Sequence, residues 1–215
     1  MRVKQALLLG PVFSLKFNED FNLTFVYLYG ESDYKYRYNG PGFRTDYKSK
    51  RHDMDFALNY RLNNYFKVFA GIKYLALDII PEFFSSYPYA EIYIHGKHKS
   101  FGVGLGLSAT FPITENLFLL STLSGLYLKG LGDEKAEVIT SSGGTPQNIK
   151  SSFNDYGFNA TLSLAYYIAQ YGVVISLGGR VQYVTTKYDD SNFPFQDTFH
   201  NVYGITLTAT YSFSI

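Results

Sequence analysis

Along most of this 215-residue chain, apolar and polar residues alternate singly. That period of two belongs to a strand whose two faces meet different surroundings. At the C-terminus Tyr203, Ile205, Leu207, Ala209, Tyr211, Phe213 and Ile215 are apolar or aromatic, while Gly204, Thr206, Thr208, Thr210, Ser212 and Ser214 are small or polar. The same division sets Phe21, Leu23, Phe25, Tyr27 and Tyr29 against Asn22, Thr24, Gly30 and Ser32, and His52, Met54, Phe56, Leu58, Tyr60 and Leu62 against Asp53, Asp55, Asn59 and Arg61. It sets Phe101, Val103, Leu105, Leu107, Ala109 and Phe111 against His98, Ser100, Gly102, Gly104, Gly106 and Ser108. Tyr156, Phe158, Leu162, Leu164 and Tyr166 oppose Asn159, Thr161 and Ser163, and Ile175, Leu177, Val181 and Tyr183 oppose Ser176, Arg180 and Gln182. The stretch after Asn116 carries Leu on both faces, and its sides cannot be assigned from pattern.

Two kinds of connection separate these segments. Asn18-Glu19-Asp20, Asn63-Asn64, Thr114-Glu115-Asn116 and Gln170-Tyr171-Gly172 are short turns of the polar and glycine type. Between them lie longer Gly-, Pro-, Ser- and charge-rich segments, Tyr38 to Tyr47, Pro81 to Gly96, Asp133 to Lys150 and Asp189 to Thr198. Nine strands follow, at about 3–17, 21–36, 49–62, 65–79, 97–111, 117–131, 152–168, 173–188 and 200–215. Short turns at one end, long loops at the other and polar residues on one face predict an all-β fold: a transmembrane antiparallel up-and-down β-barrel, apolar outside and polar inside, as one domain over 1–215. A soluble barrel would put its apolar side inward. An odd count would make the first and last strands parallel, a pairing such barrels avoid, so a tenth, upward strand is expected before Met1; the alternative is eight strands, with residues 1–17 not forming a full wall strand. Met1 to Gly10 has a basic start and a short apolar run, a faint signal-peptide pattern, but Ala6 to Phe17 continues into alternation and reads as strand.

Composition agrees with that architecture. The chain is 19% aromatic, with 21 Tyr and no Trp. So many phenols are hard to satisfy in one soluble core, but suit aromatic girdles at two membrane interfaces. A net charge of +1 gives no field for nucleic acid. Without Cys there is no disulfide framework or thiolate metal site, and no metal spacing or phosphate loop suggests a cofactor. No uninterrupted apolar run reaches the roughly 18–20 residues of a membrane helix.

The polar face concentrates charge. Around a three-residue loop Leu62 should oppose Phe66, which puts Asp55 opposite Lys73 and Arg61 opposite Lys67. Asp53, Asp55, Asn59, Arg61, Lys67, Lys73, Arg180 and Gln182 are therefore the expected interior polar cluster, a structural filling of a barrel too small for a wide channel. A narrow conduit is the alternative, with Gly102, Gly104 and Gly106 supplying space. At the loop end Lys35, Arg37, Lys48, Lys50, Arg51, Lys97 and Lys99 are candidate contacts to lipopolysaccharide phosphates.

Two further patterns resemble hydrolase sites. Asp53-Met54-Asp55 with Asp197 and His200 resembles the omptin proteases, in which Asp-x-Asp faces Asp-x-His across a cleft that activates water; here the second pair is spaced Asp-x-x-His, which splits it between strand faces. His98-Lys99-Ser100 resembles the His-x-Ser pair of lipid A 3-O-deacylases, which implies a histidine base and a serine nucleophile facing lipid. In this chain the alternation turns both inward, and no matching Glu stands out on a neighbouring strand. No enzymatic activity is expected.

By strand layout and terminal strand the whole chain is similar to the small outer-membrane barrels of the OmpA and OmpX type. The resemblance implies integral residence in a bacterial outer membrane among lipid and lipopolysaccharide. It also implies insertion by the barrel-assembly machinery, which would read Tyr211, Phe213 and Ile215, and a structural or surface-interaction role.

Overall fold

The computed structural model describes residues 2–3, 6–37, 44–84, 90–140, 143–189 and 198–214, with side chains described over 7–31, 48–80, 95–135, 148–189 and 203–211. The wall strands are β1 (Ala6–Lys16), β2 (Phe21–Arg37), β3 (Arg44–Arg61), β4 (Phe66–Phe84), β5 (Ala90–Pro112), β6 (Leu117–Thr140), β7 (Gly143–Ile168), β8 (Val173–Tyr188) and β9 (Thr198–Ser214). Each pairs antiparallel with the next, and Arg2–Val3 adds a short bridge to β2. The ring closes between β9 and β1, which run parallel from Gly204 opposite Ala6 to Ser214 opposite Lys16.

That closure corrects the expectation that a parallel first–last pair is avoided. Nine up-and-down strands leave the two end strands pointing the same way, and these two pair with each other. On the other side of β1 the ladder to β2 is interrupted between Leu9–Tyr29 and Val12–Val26. Pro11, which lacks an N–H, sits in β1, and Gly10 lies so close to Tyr27 that a Cβ would meet its carbonyl oxygen at 1.8 Å.

Side-chain chemistry at the turns explains the hairpins. Asn18 Oδ1 accepts from the backbone N–H of Asp20 at 2.9 Å and of Phe21 at 2.8 Å; Asn63 Oδ1 does the same for Tyr65 at 2.8 Å and Phe66 at 2.9 Å. Thr114 Oγ1 accepts from Leu117 N–H at 3.1 Å. Gly172 ends the β7–β8 turn at φ +62°, a conformation glycine enters without strain. The Leu62–Phe66 turn sets Asp55 opposite Lys73 and Arg61 opposite Lys67, the register expected from the alternation.

The outer surface is the apolar one. Counting upward from the turns, the outward positions of β5 from Phe111 to Phe101, of β6 from Leu117 to Tyr127 and of β7 from Tyr166 to Tyr156 each give an 11-residue belt. Such a stretch covers about 33 Å along a strand, or about 25 Å of bilayer at the usual tilt. Aromatic residues cluster at both edges: Phe17, Phe21, Tyr60, Tyr65, Phe111, Tyr166, Tyr171 and Tyr211 near the turns, and Tyr29, Phe101, Tyr127, Tyr156, Tyr183 and Tyr203 toward the loops.

The strands run further than the pattern indicated. β5, β6 and β7 are 23, 24 and 26 residues long and occupy much of what the sequence reads as loops at 81–96 and 133–150. Above the belt the outward positions turn polar, with Lys129, Asp133, Lys135 and Lys150 where an apolar residue was expected, and the ladder continues beneath them. The ambiguous β6 also becomes clear: Leu126 and Leu128 point inward and pack with Leu75 and Val184, with Leu77 alongside. The lumen therefore contains an apolar layer as well as a polar one.

Candidate functional site

The polar alternation of β3, β4 and β8 converges on Asp53. This side chain is 0% exposed and touches cations from three strands: Arg51 Nη2 at 3.0 Å, Arg180 Nη1 at 2.9 Å and Lys73 Nζ at 3.4 Å. Lys73 also reaches Asp55 at 2.8 Å. Gln182 Oε1 accepts from Arg51 at 2.5 Å and from Arg180 at 3.3 Å, and Arg180 Nε donates to Asn159 Oδ1 at 2.8 Å. β3 and β8 stand on opposite sides of the ring, four pairings apart by the shorter route, so these contacts cross the lumen. A carboxylate removed from water needs this density of partners, because an unpaired buried charge is costly.

Not every expected member joins. Asn59 donates to Thr24 Oγ1 at 2.9 Å and to backbone carbonyls, lower in the barrel. Arg61 lies at the turn end with Glu19 at 3.4 Å and Asp20 at 3.5 Å. Lys67 sits opposite it, away from Asp53. Arg51, expected among the lipopolysaccharide contacts, is instead buried in the network. It shares the parity of Asp53, so the alternation carried the signal; its position near a strand end obscured it.

Lys48, Lys50, Lys97 and Lys99 do face outward at the loop end. Lys50 lies 4.0 Å from Glu31, and Lys97 is in register with Asp78 and Asp133. The side chains of Lys35, Arg37 and Phe213 lie outside the described residues, as do Asp197 and Ile215; Tyr211 faces outward.

The lumen has distinct levels. Below the network is a cavity of about 340 Å³ whose wall mixes hydroxyls and amides, among them Thr24, Asn59, Thr122 and Asn159, with apolar side chains such as Val12, Val26 and Leu120, and Lys73 and Arg180 line it as well. Of the three glycines expected to open space, Gly104 lines this cavity, whereas the space over Gly106 is taken by the Phe69 ring, and Gly102 lies against the backbone of β6. Above the network the leucine layer and Phe153 fill the bore. Arg51 Nε and Gln182 Nε2, buried and without a protein acceptor, belong to residues flanking a second cavity of about 40 Å³, large enough for water.

Higher still, His98 and Ser100 point into the lumen. His98 Nε2 contacts Glu134 Oε1 at 3.0 Å and its ring lies against Phe153, while Ser100 Oγ donates to Asp155 Oδ2 at 2.7 Å. Thr186 donates to the other oxygen of Asp155 at 2.5 Å. The expectation that no Glu stands beside His98 is corrected: Glu134 on β6 does, and carrying the alternation past Leu131 would have turned it inward. Serine and histidine nevertheless engage different carboxylates, an arrangement that ties walls together and gives the hydroxyl no hydrogen bond to a histidine base. Likewise Asp53 is surrounded by cations, unlike a carboxylate positioned to activate water.

Among the described residues no group of three or more His, Asp or Glu side chains is arranged to hold a metal, and no helix is long and apolar enough to cross a membrane, which says nothing of strands. No protein family matches the sequence, and no curated protein does. Among solved structures, the siderophore receptor PiuA from Acinetobacter baumannii is similar over 88% of this chain at 12% identity and a TM-score of 0.36; the chain spans 37% of that receptor's length.

Proposed function

We propose that this chain is an integral barrel of a bacterial outer membrane, sealed at mid-lumen, which acts as a structural or surface-interaction protein. The carrying observation is the Asp53 network, in which Arg51, Lys73 and Arg180 bind one carboxylate across the bore. The apolar outer belt with aromatic residues at both edges supports the membrane reading. Insertion would use the barrel-assembly machinery acting on the terminal strand with Tyr211, Phe213 and Ile215. The 340 Å³ cavity favours one second reading, a narrow pore for small solutes, because it leaves part of the bore open. Planar-bilayer recording separates the two. Refolded protein is expected to show no steady unitary conductance, and regular unitary steps would sink the sealed reading.

A further inference from the structure

The outward-facing cations are distributed unevenly between the two ends of the belt. Among the described residues every outward lysine, Lys48, Lys50, Lys97, Lys99, Lys129, Lys135, Lys150 and Lys187, lies toward the loops. At the turn end Lys16, Arg61 and Lys67 occupy lumen-side positions, and the four turns carry Glu19, Asp20 and Glu115 but no lysine or arginine. Charge placed only for solubility would have no reason to avoid one end.

Within this basic rim, β5 to β8 present a compact group. Lys129, Asn154 and Lys187 are in register across three adjacent strands, and Lys99 is one outward step beyond Phe101, which pairs with Lys129. Strand spacing puts the Lys129 and Lys187 backbones about 10 Å apart, within reach of one head group. Lys187 Nζ lies 5.5 Å from the centroid of the Tyr156 ring, directed back toward the apolar belt. Asn154 is held by Tyr127, whose hydroxyl donates to it at 2.9 Å, and donates to Asp189 at 2.7 Å. Among the described residues Lys99, Lys129 and Lys187 have no carboxylate within ion-pair range, unlike Lys50.

We propose that Lys99, Lys129 and Lys187 form a docking site for the phosphates of a bisphosphorylated glycolipid in the loop-side leaflet. Lysines at the rim meet the phosphates by charge-assisted hydrogen bonds, the amide and phenol at the same level suit sugar hydroxyls, and Tyr127 and Tyr156, on the belt side of Lys129 and Lys187, lie against the start of the acyl chains. The site rests on the membrane reading above.

The test uses the full chain refolded into phosphatidylcholine vesicles doped with bisphosphorylated lipid A, with dephosphorylated lipid A or with phosphatidylglycerol. Lipid retained after detergent extraction is then measured by mass spectrometry. Wild-type protein should retain bisphosphorylated lipid A preferentially. The K99Q/K129Q/K187Q variant should lose that retention by on the order of 10- to 100-fold, and K135Q/K150Q should keep it. Equal retention by the triple variant and wild type, or equal loss in the control variant, would overturn the site. Equal retention of phosphatidylglycerol would replace it with a generic anionic surface. Insertion without lipid preference defeats only this proposal, whereas failure of the wild type to resist alkaline extraction from every vesicle defeats the membrane reading as well.

Discussion

The two halves of the lumen are built from the same strands, yet one is packed and the other hollow. Toward the loops, Asp53 with its cations, the Leu75–Leu126–Leu128–Val184 layer and Phe153 leave little space. Toward the turns, Thr, Ser and Asn alternate with apolar residues such as Val12, Val26 and Leu120, and a cavity of about 340 Å³ remains. The difference follows the length of the inward side chains. Opposite walls are joined where long charged or branched side chains extend from both, and below that level wall hydroxyls bond mainly to neighbours, as Thr122 does to Thr161 at 2.6 Å and Ser176 to Thr208 at 2.5 Å.

If that contrast is right, substitutions should be costly above and cheap below. The largest effect is expected from Asp53→Ala, which leaves three cations facing a missing counterion and should cost about 3–5 kcal/mol. A fall in the urea midpoint of micelle-folded protein measures it. Leu128→Ala should follow at about 3 kcal/mol, because this fully buried side chain has neighbours held by strand pairing that cannot collapse into the void. A midpoint unchanged by Leu128→Ala would mean that the apolar layer contributes nothing to the stability of the packed half.

The legibility of these features from sequence follows the solvent each position meets. The belt carries apolar residues at every second position, so the outward faces of β2, β3, β5, β7 and β8 could be read from alternation alone. Where β5 to β7 rise past the belt, the outward positions lose their apolar alternation, and the sequence there reads as loop although the hydrogen-bond ladder continues to Ala90, Thr140 and Gly143. Asp55 opposite Lys73 was legible because a short turn fixes register. The partnership of Asp53 with Arg180 and Gln182 depended on which walls face each other across a closed ring, and no local pattern carries that. The leucine layer was hidden because Leu126 and Leu128 face inward on a strand whose outward side also carries Leu, so period-two reading had nothing to discriminate.

Milder substitutions sharpen the boundary between the halves. Thr122→Val removes one hydroxyl from the hollow half, where water can satisfy Thr161, and should cost about 1 kcal/mol or less by the same urea assay. Gly102 and Gly104 then provide an internal control, two residues apart on the same inward face of β5. A Cβ at Gly102 would meet Tyr127 O at 2.0 Å and Leu128 Cα at 2.6 Å, both backbone atoms of a strand that cannot yield locally, so Gly102→Ala should cost about 1–3 kcal/mol. At Gly104 the nearest atom is the Gly125 carbonyl oxygen at 3.5 Å, an ordinary contact at the cavity edge. Gly104→Ala should therefore change stability by no more than about 0.5 kcal/mol, and could raise it slightly by restricting the unfolded chain. If Gly104→Ala proved as damaging as Gly102→Ala, the cavity would have to be filled, and the division of the lumen into a packed and a hollow half would fail at the point where it is drawn most finely.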